Sequence, residues 1–62
     1  MTEIWMKNGS NFIVDTEYEN IQIMLQGGGF LDAQQVEHDG ALAGFVTMRI
    51  DEISNIHSRN PK

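Results

Sequence analysis

The 62-residue sequence has nine acidic residues against four basic ones, a net charge of −5, and no cysteine. This composition excludes disulfides and thiolate zinc sites. It also argues against nucleic acid or anionic membrane as a ligand, because phosphate binding needs clustered Lys and Arg. One domain of this length buries only about 60% of its unfolded surface, so we expect self-association to supplement the core. The sequence shows no membrane-spanning apolar run and no signal-peptide pattern, which predicts a cytoplasmic protein.

The first hairpin is predicted from two alternating stretches around Asn8-Gly9. Asn-Gly is the strongest short signal for a two-residue type I′ turn, in which both turn residues need positive φ. A loop of that length pairs Trp5 with Phe12. It divides the apolar side chains between two faces: Trp5, Phe12 and Val14 on one, and Ile4, Met6 and Ile13 on the other. Because both faces are half apolar, we expect one to meet the core and the other a helix or another chain.

One helix is predicted over about residues 17–26. It opens on a capping box, in which the Thr16 hydroxyl accepts from the Glu19 N–H and the Glu19 carboxylate reaches back to the Thr16 N–H. Four side chains then share one face at helical spacing: Tyr18, Ile21, Met24 and Leu25. Ile23 falls on the opposite side, and Gly27 suits the left-handed position that ends a helix.

A second hairpin is predicted around Asp39-Gly40, between a strand over about residues 30–37 and one that begins at Leu42. A two-residue loop there gives three cross-strand pairs: Leu31 with Met48, Ala33 with Val46 and Glu37 with Leu42. One face then carries Leu31, Ala33, Leu42, Val46 and Met48. The other carries Phe30, Val36, Phe45 and Thr47, with Asp32 near Arg49.

The remaining residues complete a single domain over residues 1–62. Asp51-Glu52 interrupts the alternation as a one-turn break, and a last strand follows over residues 53–58. The order β-β-α-β-β-β predicts an α+β fold, a small bent antiparallel sheet of the SH3-like or Sm-like half-barrel type. Residues 59–62, which include Pro61, are expected to form a frayed tail.

The stretch GFVTMRIDEISNIHSR, residues 44–59, resembles the second half of an Sm-like domain. In that family a strand, a short turn and a last strand containing an isoleucine close the barrel and pair with the next subunit of a ring. The resemblance implies a ring that binds RNA or a nucleotide. This chain departs from the family in lacking its basic, RNA-contacting signature, and in placing its helix after the second strand rather than before the first.

The chain as a whole is similar to short proteins of phages and mobile elements in Gram-positive bacteria. The matching pieces are KNGSNFIVDTEYENIQ and RIDEISNIHS, which contain the Asn-Gly turn, the acidic start of the helix and the isoleucine-polar-polar-isoleucine pattern of the last strand. This similarity implies an accessory role, with no chemistry attached to it.

Candidate catalytic and metal-binding groups have simpler structural explanations. Gly27-Gly28-Gly29 follows a helix, whereas phosphate-binding glycine loops precede one. Glu37, His38 and Asp39 are neighbours in sequence, and because successive side chains on a strand point to opposite faces, at most two of them could converge on a metal. A solvated turn is the simpler interpretation. A chain of this length also has little interior in which to form a catalytic pocket. We therefore expect no enzyme activity, no cofactor and no metal site.

The residues expected to form an interface are apolar and include four aromatic residues, a class enriched in interface cores. They are Trp5, Phe12, Phe30, Phe45, Ile53 and Ile56. The leading hypothesis is a non-catalytic phage or prophage accessory protein that forms a homo-oligomer, pairing through the edge of residues 53–58, and binds a host or phage protein. The alternative is an Sm-like ring that binds RNA or a nucleotide through its last strands and basic tail, where Arg49, Arg59 and Lys62 are the candidate residues of a ligand patch.

Overall fold

The computed structural model describes residues 1–37 and 39–59. Over those residues the chain has the predicted α+β class, with one helix and a five-stranded antiparallel sheet. The strands are β1 (Thr2–Met6), β2 (Asn11–Val14), β3 (Phe30–Val36), β4 (Leu42–Arg49) and β5 (Ile53–Ser58). Helix α1 (Tyr18–Gly27) connects β2 to β3, and a 3₁₀ turn (Ile50–Glu52) connects β4 to β5. The predictions for His38 and for residues 60–62, including Lys62, lie outside the described residues.

The strands are arranged across the sheet in the order β4-β3-β2-β1-β5. Strand β1 is therefore interior, and β4 and β5 form the two edges. Ile4 on β1 stands between Phe12 of β2 and Ile56 of β5. Beyond the end of β5, the Arg59 N–H donates to the Met1 carbonyl at 2.9 Å, so the last strand is held along the whole length of the first.

The first hairpin has a three-residue loop, Lys7 to Gly9, so the prediction of a two-residue type I′ turn is wrong. Gly9 has a φ of +93°, whereas no non-glycine residue among those described, Asn8 included, has a positive φ. The Met6 N–H donates to the Ser10 carbonyl at 2.8 Å, and the Gly9 N–H donates to the Met6 carbonyl at 3.0 Å. This pattern is the type I turn followed by a left-handed residue that three-residue loops commonly adopt.

The longer loop shifts the register of β1 against β2 by one residue. Ile4 pairs with Phe12 and Trp5 pairs with Asn11, where the two-residue loop had paired Trp5 with Phe12. Successive side chains of a strand point to opposite faces. A slip of one residue therefore pairs each side chain of β1 with the side chains of β2 that were expected on the opposite face. The inner, core-facing side therefore carries Ile4, Met6, Phe12 and Val14, and the outer side carries Trp5 and Ile13.

The β3–β4 hairpin closes with the same pair of backbone bonds. The Glu37 N–H donates to the Ala41 carbonyl at 2.8 Å, and the Gly40 N–H donates to the Glu37 carbonyl at 2.9 Å. Val36 therefore pairs with Leu42, and the predicted pairing of Glu37 with Leu42 is wrong. Like the first hairpin, this one is one residue longer than the Asp-Gly signal indicated.

A β-bulge at Gly44 compensates for the longer loop. The pairs Val36–Leu42 and Gln34–Phe45 are two residues apart on β3 but three residues apart on β4. Gly44, with a φ of +91°, lies within this extra step and has the positive φ typical of a glycine bulge. Beyond it, Leu31 pairs with Met48 and Ala33 with Val46, as predicted. The bulge also places Leu42 on the outer face beside Val36, so its predicted position on the core face is wrong.

The helix begins one residue later than predicted, and the capping box does not form. The N-cap is Glu17, which makes no side-chain capping bond, and the Glu17 carbonyl instead accepts from the N–H groups of Asn20 and Ile21. The Thr16 carbonyl accepts from the buried Thr2 hydroxyl at 2.7 Å. This tertiary bond holds residue 16 against β1, so the helix starts after it.

The main core lies between α1 and the inner face of the sheet. Its buried members come from the helix and four of the strands: Ile4, Val14, Ile21, Leu31, Ala33 and Met48. Leu25 packs against this cluster from the helix, whereas Met24, predicted on the same face, is 41% exposed. Ile23 is 65% exposed on the other side of the helix. Gly28 takes a positive φ of +70° and terminates the helix, one position after the predicted Gly27.

The Thr2–Thr16 bond provides a direct test of this helix entry. We expect Thr2→Val to lower the free energy of unfolding by about 1–2 kcal/mol, because the Thr16 carbonyl loses its donor in a partly buried place. Thr16→Ala is the matched control, since its side chain makes no capping bond, and we expect it to cost less than about 0.5 kcal/mol. Urea unfolding of both variants measures the two losses of free energy. A larger loss for Thr16→Ala than for Thr2→Val would indicate that the Thr16 side chain does cap the helix.

Candidate protein-binding surface

An apolar strip, here called the outer strip, crosses the outer face of the sheet from β1 to β4. It consists of Trp5, Ile13, Val36, Leu42 and Phe45, which come from four neighbouring strands. Trp5 is 38% exposed, Leu42 68% and Phe45 81%. Ile13 and Val36 are buried, yet neither belongs to the main core cluster. The strip therefore has a buried centre on the face opposite the core, and exposed ends.

The register between β2 and β3 explains the buried centre. Val14 pairs with Gln35, and the Asp15 N–H donates to the Gln34 carbonyl at 2.9 Å in the same register. One residue further along this antiparallel pair, Ile13 and Val36 stand at neighbouring positions on the outer face, because successive side chains alternate between faces. The two residues form a small second apolar cluster at the centre of the strip.

The exposed members extend this cluster to both sides. Trp5 is the diagonal neighbour of Ile13 across β1 and β2, and Phe45 is the diagonal neighbour of Val36 across β3 and β4. Diagonal positions are within reach of aromatic side chains. Leu42 stands directly beside Val36. The strip is thus continuous in register, although its residues are spread over 41 positions of sequence between Trp5 and Phe45.

Phe30 lies apart from the outer strip, at the opposite end of β3. It pairs with Arg49 and is 69% exposed. Asp32 accepts from the Thr47 hydroxyl and is the diagonal neighbour of Arg49 across β3 and β4, in the predicted register, while the Arg49 guanidinium contacts Asp51 at 3.0 Å. Beside Phe30 an open concavity of about 350 Å³ is bounded by Gly28, Gly29 and the 3₁₀ turn. Phe30 therefore offers a separate, smaller apolar contact.

A second concavity lies beside the C-terminal half of β4. It measures about 260 Å³, and its apolar lining comes from Met6, Phe12 and Met48. The Lys7 N–H donates to the Glu52 carbonyl at 2.8 Å, which holds the tip of the first hairpin beside the 3₁₀ turn. The concavity thus opens between the first hairpin and the edge strand.

The six residues predicted to form an interface separate into two groups. Trp5, Phe30 and Phe45 are exposed, and only Trp5 and Phe45 share the outer strip. Phe12, Ile53 and Ile56 are half-buried and pack against the main core. Sequence reasoning missed Leu42, which the bulge turns outward. Gly44 inside an otherwise regular strand pattern was the available signal, since such a glycine often marks a bulge.

Two of the basic side chains are held by carboxylates. Arg49 contacts Asp51 at 3.0 Å, and Arg59 contacts Glu3 at 3.5 Å.

Within residues 1–37 and 39–59, no group of three or more His, Asp or Glu side chains is placed to hold a metal ion. The described part of the chain also contains no helix with the length and apolarity needed to cross a membrane.

Known proteins supply no relative with which this surface could be compared. The chain was compared with models of protein families, with curated proteins and with solved structures, and nothing in any of the three matched it.

Proposed function

We propose that this chain is a non-catalytic protein-binding module that acts as a homo-oligomer, with the outer strip as its contact surface. The observation that supports the proposal is the exposure of Trp5, Leu42 and Phe45 on one face, next to the buried pair Ile13 and Val36. These three side chains expose on the order of 350 Å² of apolar surface. Contiguous apolar patches of that size on small proteins commonly mark interaction sites.

The arrangement of strands supports a finer assignment of the fold. The order β4-β3-β2-β1-β5, with a 3₁₀ turn before β5, is consistent with the SH3-like or Sm-like half-barrel type expected from the sequence. We further propose, from the similarity of KNGSNFIVDTEYENIQ and RIDEISNIHS to short phage proteins, an accessory role in the cytoplasm in which the module binds a host or phage protein.

The charges of the chain support a protein partner over a nucleic acid. The net charge is −5, and Arg49 and Arg59 each face a carboxylate. These carboxylates offset the charge of both guanidinium groups and would repel an approaching phosphate. The Sm-like alternative requires a basic patch, whereas the proposed contact is apolar and therefore tolerates salt.

Self-association is the property to measure first. We expect sedimentation equilibrium at micromolar concentrations to give a mass above the 7.0 kDa of one chain. Phe45→Ser should raise the dissociation constant at least about fivefold, because truncating an aromatic anchor at an interface can cost more than about 1 kcal/mol of binding energy. Ile23→Ser is the matched control, since Ile23 is 65% exposed but lies on the helix, and it should leave the mass distribution unchanged.

Two outcomes would overturn the proposal. The first is a mass of 7.0 kDa at every accessible concentration. The second is an equal effect of Ile23→Ser and Phe45→Ser, which would locate the contact away from the outer strip. Fluorescence anisotropy with a single-stranded RNA, repeated over a salt series, tests the alternative. Tight binding that falls steeply with ionic strength would favour the Sm-like ring.

A further inference from the structure

Building on the proposed self-association, we propose that two copies of the chain pair antiparallel along the free edge of β4. The product is a continuous ten-stranded sheet in which the two outer strips meet through their Phe45 side chains. The partner is thus a second copy of this chain, and the contact combines backbone hydrogen bonds at the edge with apolar burial on the outer face.

Strand β4 has the features of an unprotected edge. In the described sheet it pairs with β3 alone, which leaves one row of backbone N–H and C=O groups free for another strand. Its eight residues, LAGFVTMR, contain no proline and a single charge, Arg49, at the last position. Proteins usually protect such edges with charges, prolines, β-bulges or a covering element, and of these β4 has the bulge at Gly44 and Arg49, so its unprotected part is residues 45–48. The exposed Leu42 and Phe45 add apolar side chains to this free backbone.

The opposite edge, β5, is less suited to pairing, although the sequence had indicated it. Its exposed positions are polar: Ser54, Asn55, His57 and Ser58. Its two apolar residues, Ile53 and Ile56, pack inward against the main core. Helix α1 also contacts β5, and the pairing of β5 with β1 is irregular between Trp5 and Met6. An approaching strand would therefore find little apolar surface there.

The geometry of strand pairing limits how two β4 strands can meet. Paired residues of antiparallel strands share a face, so a two-fold axis perpendicular to the sheet must pass through a residue and not between two residues. Because the bulge at Gly44 interrupts the alternation of side chains, regular pairing is confined to the residues beyond it, 45–49. An axis at Val46 pairs Phe45 with Thr47 of the copy. It brings the two Phe45 side chains to diagonal positions on the outer face and keeps the two Arg49 side chains at opposite ends of the interface.

The exposed residues beside the edge add apolar area to the strand pairing. All residues of β4 except Val46 and Met48 are exposed, and five of these six carry a side chain, so pairing along this strand covers the flanks of those side chains together with the free backbone edge. Specific interfaces commonly exceed about 1,000 Å² in total, or about 500 Å² from each partner. The whole exposed area of Leu42 and Phe45 is roughly half of the area required from each partner.

Spin labels on single cysteines test the edge directly, because the sequence contains no other cysteine. Thr47→Cys places a label on β4, and Asn55→Cys places a matched label on β5, where both native residues are exposed. From strand spacing and rise per residue, the two label-bearing backbones lie about 8 Å apart for Thr47→Cys and more than about 30 Å apart for Asn55→Cys. Dipolar broadening of the continuous-wave electron resonance spectrum measures the short distance, and pulsed electron resonance measures the long one.

A short distance for Thr47→Cys together with a long one for Asn55→Cys supports pairing through β4. The reverse pattern contradicts pairing through β4 but not self-association, since it locates the contact at β5. Two similar intermediate distances also overturn it, because they describe sheets packed face to face without strand pairing. Absence of any intermolecular distance, for proteins whose mass equals one chain, overturns the proposed self-association itself.

Discussion

Ile4→Ala should destabilise the protein more than any other single change considered, by about 3 kcal/mol. Ile4 is fully buried in the interior strand β1, where it lies between Phe12 and Ile56 and belongs to the main core. Removing its branched side chain loses apolar burial and leaves a cavity that the flanking strands cannot collapse around. For a domain of this length the whole free energy of unfolding is about 3–9 kcal/mol, so the variant should be near the limit of folding at room temperature.

Urea unfolding followed by far-ultraviolet circular dichroism measures this loss, and Ile23→Ala is the matched control. Ile23 has the same side chain but is 65% exposed on the helix, so we expect its substitution to change the free energy by no more than about 0.5 kcal/mol. Similar transition midpoints for the two variants would mean that β1 does not occupy the centre of the core.

Gly9→Val should lower the free energy of unfolding by about 2 kcal/mol. Gly9 has a φ of +93°, a conformation that β-branched residues strongly resist. No described atom outside its chain neighbours lies within 4 Å of the position that a Cβ would occupy, so the cost comes from backbone strain and not from a clash. This loop fixes the register of β1 against β2, and the strain therefore acts on the pairing of an interior strand.

Gly9→Asn separates strain from side-chain bulk. Asparagine tolerates positive φ far better than valine does, so we expect it to cost less than half as much in the same urea titration. If both variants lose the same stability, side-chain size is the cause and the left-handed conformation at residue 9 is irrelevant. If neither loses stability, the turn has a different backbone geometry.

The register of long, strongly alternating strands was predictable from the sequence. Leu31 pairs with Met48 and Ala33 with Val46 as expected, because Leu31 and Ala33 alternate with polar residues that face water. The turns were less predictable. Asn8-Gly9 and Asp39-Gly40 both indicated two-residue loops, yet each belongs to a hairpin one residue longer. The dipeptide identifies the turn but not its length, since glycine serves the left-handed position of either loop.

The candidate surface could be predicted only in part, because it depends on that turn length. Trp5 and Phe45 were expected at an interface and are exposed. Phe12 was expected beside Trp5, but the longer loop of the first hairpin places it on the core face. Leu42 was expected on the core face, but the bulge at Gly44 places it on the outer face. The missing cap at Thr16 has a different cause, a bond to the distant Thr2 that local sequence patterns do not contain.

The position of β1 between β2 and β5 has a consequence for synthesis on the ribosome. Residues 2–6 are made well before residues 53–58, so Ile4 and Ile56 can meet only after residue 56 has been added. Contacts so distant in sequence slow folding, because the intervening chain must be brought together before they form. One side of β1 therefore stays unpaired in the emerging polypeptide until residues 53–58 have left the ribosome, and only then is this sheet complete.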